Sequence, residues 1–232
     1  MSATQEPATE PESRAPYDPM PHGPAEVGLG PWPGPWPSGP GSEKYDPDLL
    51  RDGDRRNVVD RYRYWSMAAI VADLDERRHD FHVAIENWQH DFNIGTIVRT
   101  ANAFLAKEVH IVGNRRWNRR GAMVTDRYQH LRYHRDAADL AGYLAQRGVA
   151  LWGVDNLPGS LHLETARLPR QVCFLFGQEG PGLSPAARDA CAATFAIAQF
   201  GSTRSINASV AAAVAMHAWV REHADFEEAW RG

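Results

Sequence analysis

The sequence predicts an α/β fold: a mostly parallel sheet flanked by helices. Two observations carry that reading. Short apolar runs alternate with helical stretches through most of the chain, and the connections between them are short. A third agrees with it. Clusters of Gly, Ser and Asn stand just after apolar runs, where open α/β sheets place their ligands.

In chain order, residues 1–50 hold twelve of the sixteen prolines. "GPAEVGLGPWPGPWPSGPGSEKY" reads as a disordered Pro/Gly-rich tail, with Trp32 and Trp36 free to dock on a partner. Residues 51–80 form an N-terminal helical extension, because Val58, Val59, Tyr62, Met67, Ile70 and Leu74 recur at helical spacing. The main domain follows over 81–223, and 224–232 is a C-terminal tail. "FHVAIEN", "EVHIVG", "VALWGVDN", "QVCFLFG" and "TFAIA" read as strands. "NIGTIVRTANAFLA" reads as a helix capped by Asn93, and "AADLAGYLAQRG" as one ending at Gly148. "SPAARDACAA" has Ser184 as cap and Pro185 at the first helical position. "SINASVAAAVAMHAWVREHA" closes the domain as a long Ala-rich helix.

The 232 residues carry a net charge of −4 and only two cysteines, Cys173 and Cys191. The cysteines show neither metal spacing nor a disulfide framework, so the expectation is buried thiols, a cytoplasmic protein and no metal. No apolar run approaches a membrane span, and the N-terminus lacks the pattern of a secretory signal. The mild overall charge hides a basic stretch over 113–135, "GNRRWNRRGAMVTDRYQHLRYHR". Arg115, Arg116, Arg119, Arg120, Arg127 and Arg132 stand there beside Trp117, Tyr128 and Tyr133, which suits a local nucleic-acid surface. Arg55, Arg56, Arg61 and Arg63 can add phosphate contacts.

Three segments carry the chemistry. In "NIGTIVRTANAF", Asn93 and Arg99 read either as a functional pair or as a cap and a surface arginine. "FLFGQEGPGLS" permits close backbone approach at Gly177, Gly180 and Gly182, but has no Gly-Lys-Ser/Thr phosphate loop. It reads as a tight turn or as a ligand loop, and Glu179 within it calls for a partner. "IAQFGSTRSINASV" crowds Ser202, Thr203, Ser205 and Asn207 ahead of the last helix, where Ser205 is a candidate cap.

Taken together, in this order and spacing, the three segments resemble the motifs of the SpoU/TrmH branch of the SPOUT methyltransferases, over roughly residues 58–223. The resemblance implies a deep C-terminal trefoil knot, an exception to the rule against threading. It implies S-adenosylmethionine held by backbone groups near Val154, Gly177, Gly182, Ile197 and Ile206, with Gly177 letting the chain approach adenosine. It implies a homodimer that uses the last helix, and methylation of a ribose 2′-hydroxyl in RNA. Arg99 would stand near that hydroxyl as base or electrostatic stabiliser, with Asn93, Glu179, Ser205 and Asn207 orienting it and the ribose. Ile197-Ala198-Gln199 replaces the common Ile-Pro-Met. Gln199 and Arg204 are similar to relatives that methylate guanosine 18 of tRNA, which makes tRNA the first expectation and rRNA the second. A catalytically silent RNA-binding relative and a base methylase are the competing readings.

Overall fold

The structure, a computed structural model, describes residues 28–89 and 93–229. Its centre is a seven-stranded sheet: β1 (His82–Asn87), β2 (Val109–Gly113), β3 (Leu131–His134), β4 (Ala150–Val154), β5 (Leu161–His162), β6 (Val172–Phe176) and β7 (Ala193–Ala196). The order is β3-β2-β1-β6-β4-β7-β5, and every pairing is parallel. β1 and β6 are buried along their whole lengths; β6 is an unbroken apolar run, whereas β1 also buries the polar His82, Glu86 and Asn87.

Successive side chains leave opposite faces of the sheet. Val83, Ile85, Ile111, Phe174 and Phe176 meet α3 (Asn93–Ala103) and α6 (Ala208–His223) through Ile94, Ile97, Val98, Met216 and Trp219. Ala84, Val112, Leu151, Cys173 and Leu175 meet α4 (Ala137–Ala145) and α5 (Pro185–Ala190) through Leu140, Leu144 and Ala187. Each fully buried Leu or Ile contributes about 2 kcal/mol. Asp136 and Ser184 cap α4 and α5 by accepting the backbone N–H of Asp139 and Ala187. The last turn of α6 is fastened to the chain entering β6. The Trp219 indole donates to the carbonyls of Pro169 and Arg170, both at 3.1 Å, and the His223 ring donates to Leu168 at 2.7 Å.

Beneath α4 the sheet carries a polar inclusion. His82, His110 and His134, on three neighbouring strands, are all buried. Burial pushes the His82 imidazole down to about 4 and His110 well below its ordinary value, so both are neutral at pH 7.

Residues 28–50 depart from the expected tail. They fold, with the chain to residue 52, into α1 (Pro47–Asp52) and a clasp over the irregular stretch before α2 (Met67–Asp75), joined to it by isolated bridges at Asp54 and Trp65. The Trp32 ring stands edge-on to Tyr64 at 5.2 Å, and the Tyr64 hydroxyl donates to the Gly30 carbonyl. Leu29 and Asp54 exchange two backbone hydrogen bonds. Enough aromatic surface is buried here to order a Pro/Gly-rich segment, and prolines also reduce the entropy lost on folding. The rest of the expected tail, 1–27, lies outside the described residues, as do 230–232. The helix expected near 58–77 is also interrupted. A 3-10 turn (Asp60–Tyr62) and α2 are separated by Tyr64, whose φ of 63° no α-helix admits. The buried Asp54 carboxylate holds that kink by accepting the Tyr64 N–H at 2.9 Å. Asp54 also takes Arg56 through Nε and Nη2, at 2.9 and 2.7 Å. β3 and β5 were not expected from the sequence.

Among the described residues no helix is long and apolar enough to cross a membrane. Both cysteines are free, and burial raises the thiol pKa of each, that of Cys191 to about 12.

Candidate functional site

The loops leaving the carboxyl ends of β4, β6 and β7 enclose a cavity of about 330 Å³. Its walls are Val154–Asn156, Phe176–Gly180 with Gly182, and Ile197, Gln199 and Ser205–Ala208. Val154, Gly177, Gly182, Ile197 and Ile206, expected to bind a cofactor, all line it, as do Glu179, Ser205 and Asn207.

The glycine loop owes its shape to its own backbone. A Cβ on Gly177 would stand 2.0 Å from the carbonyl carbon of Gly182 and 2.1 Å from the Leu183 nitrogen. Gly177 is thus required by the loop folding back on itself, a structural reason that stands beside the expected close approach of a ligand. Gly182, at φ +71°, sits against Asp155, whose carboxylate accepts the Leu183 N–H at 2.9 Å. Behind the loop, the fully buried Glu86 accepts the N–H and hydroxyl of Ser184 at 2.8 and 2.7 Å and the Trp88 indole at 2.9 Å. The Trp88 N–H in turn reaches the Gln178 side chain. Across the cavity, Asn156 donates to the Arg204 carbonyl at 3.0 Å, joining the loop after β4 to the loop after β7.

A polar junction stands at one wall. The Asn93 amide donates to the Glu179 carboxylate at 3.2 Å and accepts from the Asn207 amide at 2.9 Å. These three residues, 114 positions apart at the extremes, meet as the motif order predicts. Two local readings change. Asn93 is the first residue of α3 rather than its cap, and its side chain is spent on Glu179 and Asn207. Asn207, not Ser205, caps α6, accepting the N–H groups of Ser209 and Val210. Ser205 is an exposed residue of the cavity wall.

Arg99 does not join the junction in this chain. It is exposed on α3, lines no part of the cavity, and has no hydrogen bond or ion pair among the described residues. Six residues of helix turn a side chain through about 600°, so Asn93 and Arg99 leave α3 in different directions. The expected Glu179–Arg99 pair is therefore absent within one copy.

The geometry has counterparts. A sequence profile described as the SpoU rRNA Methylase family matches residues 80–217. The chain belongs to this family. The tRNA (guanosine(18)-2′-O)-methyltransferase of Escherichia coli K12 is 28% identical over 153 residues, 65% of this chain and 67% of the relative. A 23S rRNA (guanosine-2′-O-)-methyltransferase of Bordetella pertussis is 38% identical over 80 residues, 34% of this chain and 32% of its own. The structure of the SpoU methyltransferase AviRb from Streptomyces viridochromogenes, solved with AdoMet, superposes with a TM-score of 0.57 at 25% identity. That match covers 65% of this chain and 60% of AviRb. The chain thus spans less than two thirds of AviRb and about two thirds of the E. coli relative.

In this SpoU methylase the basic stretch adjoins the junction. Asn87, at the carboxyl end of β1, donates to the carbonyls of Asn114 and Arg116 at 2.7 and 2.9 Å and anchors the loop. A 3-10 turn over Arg119–Ala122 lies on the first turn of α3, so close that a Cβ on Gly95 would be 2.8 Å from the Gly121 Cα. Arg115, Arg116, Arg119, Arg120 and Arg127 are exposed. Arg115 lies over the Tyr133 ring and Arg119 over Trp117, each at 5.6 Å, and Arg119 also pairs with Asp126. Arg132, though exposed, is held by Glu108. Tyr128 corrects the expectation of a third stacking ring: it is buried against Tyr62 and Ile70. Of the extension's arginines, Arg56, Arg61 and Arg63 pair with Asp54, Asp73 and Asp60, while Arg55 is exposed.

Asp155, Asn156, Gln178 and Glu86 were not singled out from sequence. The signal for the first two was their place directly after the apolar strand β4.

Proposed function

We propose that this chain is an S-adenosylmethionine-dependent RNA methyltransferase acting on a ribose 2′-hydroxyl, with tRNA guanosine 18 or a similar position as the favoured target. The observation that carries this is the Asn93–Glu179–Asn207 junction on the wall of the cavity, beside an arginine surface, in a chain of the SpoU family.

The cavity fits the cofactor. Its volume is within the range of small-molecule sites. Val154, Phe176, Ile197 and Ile206 offer apolar walls for a flat base, and Gln178 and Asn156 offer polar groups for a ribose. Among the described residues no Lys or Arg lines it, while Asp155 and Glu179 do, which suits a cation rather than a phosphate. When bound, S-adenosylmethionine supplies a methyl group on an electrophilic sulfonium. The protein must set the ribose oxygen in line and stabilise the charge it develops. Asn93 and Asn207 hold Glu179 against the cavity, and Ser205 borders the same space. Arg99, always charged, serves as an electrostatic partner of the ribose oxygen or the adjacent phosphate rather than as a base.

A homodimer completes this reading. Phe200, Ile206, Val210 and Val214 are exposed apolar side chains on α6 and the loop before it. Pairing through them would bring Arg99 of one copy toward the site of another. The deep trefoil knot that the three motifs imply belongs to the same reading; the family match supports it, and α6 is held at both ends, through the loop bonded to Asn156 and at Leu168–Arg170. The family match over 80–217 supports 81–223 as the methyltransferase domain; 51–80, outside that match, is its extension together with the clasp from residue 28. The exposed arginines of 115–127 supply the RNA surface. An rRNA target is the second reading, favoured by the B. pertussis relative.

The test is transfer of tritiated methyl from S-adenosylmethionine into total tRNA and, separately, rRNA. Alkali-resistant labelled dinucleotides from tRNA are expected. No label above an Arg99→Ala control, or an alkali-labile product, overturns the proposal.

A further inference from the structure

The polar inclusion beneath α4 has no part in methyl transfer. It lies at the start of β1 and β2, whereas the cavity is at the carboxyl ends of β4, β6 and β7. His82 opens β1, His110 is the second residue of β2, and Glu108 immediately precedes that strand. Parallel register sets Val83 beside Val109, so His82 and Glu108 are neighbours across the ladder. His82 Nδ1, His110 Nε2 and Glu108 Oε2 converge on one spot.

We propose that these three atoms form a binding site for a transition-metal dication, zinc being the best fit. They stand 2.9, 3.6 and 3.8 Å apart, so one point lies about 2.0 Å from all three, the length of a zinc–nitrogen or zinc–oxygen bond. Two imidazoles and a carboxylate are a donor set that selects zinc, cobalt or nickel over magnesium or calcium. Three protein donors leave a fourth position for water.

The surroundings have what a metal site needs. His110 Nδ1 lies 3.0 Å from His134 Nε2, and His134 Nδ1 faces the Asp139 carboxylate at 3.9 Å; with the His134 proton on that side, His110 donates from Nδ1 and turns its Nε2 lone pair toward the site. The Tyr143 hydroxyl donates to Glu108 Oε2 at 2.8 Å, and Arg132 holds the other oxygen. Both orient the carboxylate. With a metal bound, His82 carries its proton on Nε2; without one, His82 Nδ1–H donates to His110 and the row is a plain hydrogen-bond ladder. Side-chain exposures of 7% for His82 and 12% for Glu108 leave a way in from solvent. The ion would clamp β1 to β2, and through Tyr143 to α4. It is a stabilising centre, independent of the methyl-transfer site.

The test uses the full chain, stripped with a chelator and titrated with cobalt(II) and zinc(II) at neutral pH. One equivalent per chain is expected, with visible bands of a four- or five-coordinate cobalt centre that zinc displaces. Zinc should also raise Tm. His110→Gln and Glu108→Gln should weaken binding by more than about 100-fold, and His134→Gln, which removes only an orienting bond, by about 10-fold. His162→Gln, on exposed β5, should change nothing. Absence of stoichiometric binding or cobalt bands in the wild-type chain overturns the proposal, as does undiminished binding in folded Glu108→Gln. The wild-type spectrum decides the matter even where a histidine variant fails to fold. Loss of methyl transfer would not bear on it.

Discussion

The clasp over 28–80 and the loops around the cavity fix their backbones by opposite means. In the clasp, charged side chains do it: Asp54 is fully buried and gathers Arg56 and the Tyr64 N–H, while Asp73 gathers Arg61, Tyr62 and Arg77. In the cavity loops the absence of a side chain does it, since Gly177 and Gly182 let backbone and Asp155 pack where a Cβ would collide. The clasp fails when a group is removed, and the loop fails when one is added.

The largest expected effect comes from adding a methyl. Gly177→Ala forces Gly182 and Leu183 out of place and should weaken S-adenosylmethionine binding by about 1,000-fold, or about 4 kcal/mol, in calorimetry. An affinity within threefold of wild type would break the contrast. Next, Asp54→Ala leaves the Tyr64 N–H without its acceptor and Arg56 with only the Trp65 carbonyl, and should cost about 3 kcal/mol in urea unfolding. Its cofactor affinity should stay within about twofold, because the sites are separate.

Acid sharpens the same contrast. Burial alone would raise the Asp54 pKa, but the Arg56 side chain and the backbone N–H groups of Tyr64 and Arg56 outweigh it and hold it at about 2, against an ordinary 3.8. The group is a depressed acid, so its contribution is full above 3.8 and is lost as pH falls through about 2. The stability gap between wild type and Asp54→Asn should therefore narrow by about 2 kcal/mol between pH 5 and pH 2, read from urea midpoints. The smallest stability effect belongs to Asn207→Ala. It removes the cap of α6 at a cost of about 1 kcal/mol. It also removes the amide that Asn93 accepts from, which should lower single-turnover methyl transfer about 10-fold.

The contrast also explains what the sequence disclosed. β4 and β6 were legible as apolar or small-residue runs, as strands covered on both faces tend to be, and β1 and β2 by their apolar cores, Val83–Ile85 and Ile111–Val112, despite buried His82, Glu86, Asn87 and His110. The cavity was legible because glycine spacing reports backbone constraints directly, and Asn93, Glu179 and Asn207 were found through motif order. The clasp was not legible. Pro and Gly count against order in any compositional reading, and the rings of Trp32, Tyr45 and Tyr64 that order the segment nonetheless come from distant positions. β3 was missed because its "LRYH" is an edge strand with exposed Arg132 inside an arginine-rich stretch. The histidine row was invisible for a related reason: its members are 28 and 24 residues apart and meet only through strand register. Arg99 marks the limit of motif reading, which picks out the residue but not its place, exposed on α3 and outside the cavity wall.

The buckle between the end of α6 and residues 168–170 bears on how the protein is made. Synthesis runs from the N-terminus, and domains tend to fold as units as they emerge. Trp219 and His223 are translated some fifty residues after the carbonyls they grip. Until they leave the ribosome the groove meant for them lies open, and a nascent chain stalled before residue 219 should be far more protease-sensitive near 168–170 than the released protein.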